Sequence, residues 1–126
     1  MFKIEPEKII EEPIINGRLA DSMEEYYVSL ALDSLGLRYA YQVPLFGGNT
    51  RRGGTILDFL VDTPTPTVIR VMGEYWHKGE RKIEDELLER RIVKYFGGKV
   101  NILNIPASKL ETEEEAYVTI RREMKI

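Results

Sequence analysis

Asp58 stands inside TILDFLV, an otherwise apolar run, where a carboxylate is costly to bury unless it is paired, hydrogen-bonded or bound to a cation. Arg70 is a second charge in an apolar run, VIRVMG, and strand periodicity puts it on one face with Val68 and Met72. In a suitable register Arg70 would neutralise Asp58; otherwise Asp58 faces solvent or holds a cation. Directly after the second run come the only tryptophan, Trp76, and the only histidine, His77. A neutral imidazole can act as a general base near physiological pH, and it is equally an ordinary packing or surface group beside a tryptophan. Asp85 and Glu86 are placed to orient His77 or simply to favour a helix dipole. The chemistry these types could support is cation binding by the carboxylate and general-base catalysis by the imidazole.

The elements that position these residues follow from periodicity. Residues 1–17 show no clear period and read as an extended arm or short edge element. Ser22 with Glu25 fits a capping box, and Met23, Tyr26, Tyr27, Leu30, Ala31 and Leu35 recur at helical spacing up to Gly36. RYAYQVPL reads as a strand, GGNTRRGG as a sharp glycine-rich connection, and TILDFLVD as a second strand. TPTPT bends the chain before a third strand, VIRVMG, antiparallel to the second. Ile83, Leu87, Leu88, Ile92, Val93 and Phe96 mark one face of a helix over Arg81 to Phe96, and VNILNI is a fourth strand. Thr112 with Glu115 starts a last helix, within a C-terminal segment 107–126, that carries Ala116, Val118 and Ile120. The order helix, three strands, helix, strand, helix predicts an α/β domain with a central mixed sheet flanked by helices.

The 126 residues suit one domain with a single core, and 43% hydrophobic with 31% charged residues is too apolar for disorder. With no cysteine, disulfides, thiolate catalysis and cysteine-based zinc sites are excluded. No run approaches the ~18 apolar residues of a membrane helix, and the N-terminal stretch lacks a leader's apolar core, so a cytoplasmic protein with no membrane partner is expected. The net charge of −3 is uneven: residues 38–99 hold 11 basic and 8 acidic groups, while residues 1–37 hold 3 and 8. The middle of the chain is therefore its basic part.

EEYYVSLALDSLGLRYAYQV, GGTILDFLV, VIRVMGEYWH and EDELLERRIVKYFGGKVNIL together resemble the very-short-patch mismatch-repair endonucleases and phage-type homing endonucleases with an EDxHD site. These belong to the PD-(D/E)XK nuclease superfamily, so the resemblance implies a restriction-endonuclease-like fold and Mg²⁺- or Mn²⁺-dependent cleavage of DNA. Its most specific part is Gly73, Glu74, Tyr75, Trp76 and His77 directly after a strand. Carried over by position, the helix acid is Glu25, with Glu24 the lesser choice, and Asp58 is the metal-binding aspartate. Val71 offers a main-chain carbonyl to the metal, His77 is the catalytic histidine, and Asp85, or Glu86 after a one-residue shift, is its acidic partner. Tyr75 and Trp76 take the place of aromatic residues that wedge into the base stack, at a cost of a few kcal/mol per unstacked step. Phosphate contacts fall to Arg51, Arg52, Lys78, Arg81 and Lys82, basic groups that position a duplex without reading its sequence.

The chain departs from this pattern on the third strand. Arg70 and Met72 stand where the wider superfamily has an acid and a lysine, and the mismatch-repair branch has a histidine at the place of Met72. Arg70 either stabilises phosphate charge or occupies the metal's place by pairing with Asp58. An active endonuclease, a silent nucleic-acid- or protein-binding module on the same fold, and a homodimeric junction resolvase all stay open.

Overall fold

The computed structural model describes residues 12–73 and 80–126. A two-residue strand β1 (Ile14–Ile15) pairs antiparallel with β2 (Arg18–Leu19), so the end of the expected arm is a small hairpin. Ile15 is buried and Asn16 Nδ2 donates to the Tyr39 carbonyl at 3.2 Å, which docks the hairpin on the sheet.

Helix α1 (Met23–Ser34) begins at Ser22, whose hydroxyl accepts from the Glu25 amide at 3.2 Å, as the capping box requires. It ends where Gly36 adopts φ +69° and the Leu37 amide reaches back to the Leu32 carbonyl. The buried line of α1 is Glu25, Val28, Ser29 and Leu32, with Ala31 beside it, while Met23 is exposed. Tyr26, Tyr27 and Leu35 pack against the core beside it, and two positions of the buried line are polar.

Strands β3 (Tyr39–Leu45), β4 (Thr55–Val61) and β5 (Thr67–Met72) form an antiparallel meander. Helix α2 (Glu80–Tyr95) then returns the chain to β6 (Asn101–Pro106), parallel to β5, and helix α3 (Glu113–Met124) follows, capped by Thr112. The result is an α/β architecture with a mixed four-stranded sheet in the order β3-β4-β5-β6 plus the small hairpin. The core has two clusters. Phe59, Val61, Ile69 and Ile105 pack with Val28, Leu32, Ala116 and Ile120 of α1 and α3, and Leu45, Leu57 and Val68 pack with Ile92 of α2.

Helix α2 corrects the expected apolar face. Only Ile92 is fully buried, with Leu88 and Phe96 packed beside it; Ile83, Leu87 and Val93 are exposed. The sheet surface opposite the N-terminal half of α2 is polar, carrying Arg70 and Asn104, so ionic contacts replace apolar ones there. Val118 of α3 is likewise 59% exposed and lies off the buried line of Ala116 and Ile120.

The hairpin joining β3 to β4 closes tightly. A Cβ built on Gly54 would lie 2.0 Å from the Gly48 carbonyl oxygen, a backbone atom that cannot swing aside. Gly54→Ala should therefore lower stability by about 1–3 kcal/mol through overpacking. A thermal melt checks this, since an unchanged midpoint would mean that the tip has room to give.

Candidate active site

The sheet is interrupted at Asp58. On the β3 side the register runs Tyr41↔Phe59 and Val43↔Leu57, skipping the intervening pair of Gln42 and Asp58, and Gln42 holds φ +55°. A positive φ at a residue other than glycine costs energy and marks a local distortion. Its effect is legible in the core: Phe59 and Val61 face α1 and α3, whereas Leu57, of the same parity, joins the α2 cluster. Tyr41 and Val43 switch in the same way. On the other side the β4–β5 ladder stops at Phe59↔Ile69, one rung short of Asp58 and Arg70. There the Val71 amide donates to Asp58 Oδ2 at 2.8 Å, so a side chain takes the place of a ladder carbonyl.

Glu25 enters this break from the first turn of α1. It is 7% exposed, and both oxygens are hydrogen-bonded: Tyr41 donates its hydroxyl to Oε1 at 2.9 Å and Ser22 donates to Oε2 at 2.8 Å. The Tyr41 hydroxyl in turn accepts from the Asp21 amide at 3.0 Å and from Gln42 Nε2 at 3.3 Å. Gln42 Nε2 also donates to the Asp21 carboxylate, and its Oε1 accepts from Arg18 Nη1 at 2.6 Å. Burial, together with the Glu25 and Asp21 carboxylates, pushes the Tyr41 phenol up to about 12, so it stays a donor across the neutral range.

Asp58 carries the most telling electrostatics. Its carboxyl is pushed up to about 6, first by burial and further by the negative charges of Glu25 and Asp21, while the Val71 amide and Arg70 act in the opposite direction. A carboxylate destabilised by desolvation and by two like charges is relieved by a cation. The donors are hard oxygens, as Mg²⁺ or Mn²⁺ prefers. Among the described residues Asp58 Oδ1 takes no hydrogen bond, whereas both Glu25 oxygens are occupied. No group of three His, Asp or Glu side chains among the described residues is close enough to cage a metal. Asp58 Oδ1 is thus the one oxygen of these two carboxylates left open to a ligand among the described residues.

The ion pair between Asp58 and Arg70 is not formed. Arg70 lies on the α2 side of the sheet, where Nη2 bonds Asp85 Oδ1 at 2.8 Å and Nη1 lies 3.5 Å from Glu89 Oε1 and 3.4 Å from Asn104 Oδ1. Asn104 Nδ2 also donates to Glu89. The Arg70, Asp85 and Glu89 side chains are at most 31% exposed, so this network clamps the N-terminal half of α2 to β5 and β6. Arg70→Ala should cost roughly 2–3 kcal/mol, less than a fully buried pair because the carboxylates are partly solvated. Urea denaturation checks the value, and an unaltered midpoint would show that α2 is held by Leu88 and Ile92 alone.

Of the other expected site residues, Tyr75, Trp76, His77 and Lys78 lie outside the described residues, as does the side chain of Arg81. Lys82 is exposed on α2, Glu86 is exposed, and Arg51 and Arg52 are exposed at the β3–β4 tip. Val71 contributes its amide to Asp58, and Glu24, next to Glu25, has no part in the hydrogen bonds of the break. Sequence reasoning missed Tyr41, Gln42, Glu89 and Asn104. Tyr41 was hidden as one aromatic of an alternating strand, and Glu89 and Asn104 read as ordinary surface polar groups. Among the described residues no helix is long and apolar enough to cross a membrane. Comparison with protein-family models, with curated proteins and with solved structures returns no match.

Proposed function

We propose that this chain is a Mg²⁺- or Mn²⁺-dependent endodeoxyribonuclease with a restriction-endonuclease-like fold, of the mismatch-repair or homing type. The observation that carries the reading is the half-buried Asp58 carboxylate, under the charge of Glu25 where β4 and β5 part, at a site that a hard cation would relieve. The order helix, three strands, helix, strand, helix, with β5 parallel to β6, supports it further. Asp58 would hold the ion and Glu25 would order its water; when bound, the ion would supply charge to stabilise the developing phosphorane oxygens. Glu25 is fixed for that task by Tyr41 and Ser22, and Val71 fixes Asp58 through its amide. His77, the one histidine of the sequence, would take a proton from the attacking water as general base. Tyr75 and Trp76 follow the same strand and would press on the duplex beside the cut.

One observation favours a second reading. Asp85, the acid that the resemblance pairs with His77, is bonded to Arg70 at 2.8 Å. An inactive nuclease-fold module that binds nucleic acid or protein would keep Asp85 in that structural role. Labelled duplex DNA incubated with the folded protein separates the two. Shortened products in Mg²⁺ or Mn²⁺, suppressed by EDTA, support the nuclease, and intact duplex in both metals supports the binding module.

A further inference from the structure

In a chain of net charge −3, one region has no carboxylate at all. Residues 39–57 contain Arg51 and Arg52 and no Asp or Glu, and residues 90–100 contain Arg90, Arg91, Lys94 and Lys99 and no Asp or Glu. The fold brings these two segments together. Leu45 packs in one cluster with Ile92, and the Phe46 ring meets Tyr95 edge-on at 5.9 Å. Arg91 locks the contact, with its guanidinium 4.1 Å from the centre of the Phe46 ring and Nη1 donating to the Gly53 carbonyl at 2.7 Å. The switch of faces at Gln42 and Asp58 makes this possible, since it turns Val43, Leu45 and Leu57 onto α2. Arg51, Arg52, Arg90 and Lys94 are all exposed, and Tyr95, 60% exposed, stands at the end of α2 beside Phe46 of the hairpin.

The helix dipole explains a cation in the last turn of α2, but not the two arginines on the tip or the exposed aromatic ring beside the hairpin. Cations interleaved with an exposed aromatic match what an unpaired nucleic-acid strand needs: phosphate contacts for its backbone and a ring on which a base can stack. A duplex keeps its bases stacked inside and would use only the cations. We infer that the face made by Arg51, Arg52, Arg90, Lys94 and Tyr95 binds a single nucleic-acid strand, the cations holding its phosphates and Tyr95 stacking one of its bases. Gly54, where the tip enters β4, lies four residues from Asp58, about 13 Å along an extended strand. The inference rests on the nuclease reading only in taking the strand to be DNA.

The test is fluorescence anisotropy in EDTA, where no cleavage takes place, with a labelled oligodeoxynucleotide and its duplex over a range of salt. The wild type should bind the single strand more tightly than the duplex. Tyr95→Ala should weaken single-strand binding about 5- to 100-fold without changing the salt slope, and Tyr95→Phe should bind as the wild type does. The Arg51→Ser, Arg52→Ser double variant should reduce the slope of log K against log salt by about 1.4, roughly 0.7 for each phosphate that the protein ceases to neutralise. Equal affinity for duplex and single strand, Tyr95→Ala binding like the wild type, or an unaltered salt slope in the double variant would each overturn the inference. Thermal melts confirm that each variant is folded. A chain that binds but never cuts would sink the nuclease reading and leave this one standing; a chain that cuts but fails here would do the reverse.

Discussion

Asp58→Asn should give a protein that is more stable than the wild type above pH 6 and that no longer cuts DNA. The sign follows from the direction of the shift. The folded carboxyl sits at about 6, above its usual value of 3.8, so the folded state holds the proton more tightly than the unfolded chain does. The favourable contribution of protonated Asp58 is complete below pH 3.8, declines between about 4 and 6, and is gone above that range. A displacement of about two pKa units corresponds to roughly 2–3 kcal/mol. Asparagine can still accept from the Val71 amide through its carbonyl oxygen, so the variant keeps the hydrogen bond and drops the charge. Urea denaturation of both proteins from pH 4 to pH 8 should show the wild type losing stability relative to the variant as the pH rises. Parallel curves would mean that Asp58 is not perturbed, and the main argument for a cation at this place would fall with it. Added Mg²⁺ should stabilise the wild type alone, by mass action on the folded state.

His77→Ala should slow DNA cleavage by 10²- to 10⁴-fold, the range that general-base catalysis contributes, while leaving the melting temperature within a degree or two of the wild type. If His77→Ala cuts at the wild-type rate, the base lies elsewhere and the resemblance that names His77 fails at its most specific point. Loss of cleavage together with loss of folding would instead assign His77 to packing against the rest of the chain.

Much of the architecture was legible because its signals are local. Ser22 with Glu25 and Thr112 with Glu115 box their helices as expected. The four strands fall within a residue or two of the runs that announce them, and the TPTPT bend produces the antiparallel β4–β5 pair. Asp58 is legible because a lone carboxylate in an apolar strand has few inexpensive explanations, and it is half-buried and hydrogen-bonded to the Val71 amide. What could not be read is what depends on pairing between distant segments. The partner of Arg70 was sought on the neighbouring strand and lies on α2, because the β4–β5 ladder ends before Asp58 and α2 presents Asp85 and Glu89 one turn apart. Of the apolar positions that mark α1, Ala31 is buried and Tyr26, Tyr27 and Leu35 pack against the core, while the deepest line also holds Val28 and Leu32 with the polar Glu25 and Ser29, which a periodicity argument discards. The change of face at Gln42 leaves no mark in the sequence, since glutamine is not a residue that signals a positive φ.

The break in the sheet unites these findings. It parts β4 from β5 beside Asp58, brings Glu25 and Tyr41 to that point, and turns the distal β3–β4 hairpin onto α2 with its basic tip exposed. The strained backbone at Gln42 beside the perturbed Asp58 carboxyl is what the proposed active site rests on.

The central claim is that Asp58 and Glu25 form a metal-dependent nuclease centre, and incubation with supercoiled plasmid tests it most directly, because one broken phosphodiester bond changes the mobility of the whole molecule. Wild-type protein with Mg²⁺ or Mn²⁺ should yield nicked or linear plasmid, while EDTA and Asp58→Asn should each leave it supercoiled. Plasmid that remains supercoiled with folded wild-type protein in both metals, or that is cut equally by Asp58→Asn, would contradict the account.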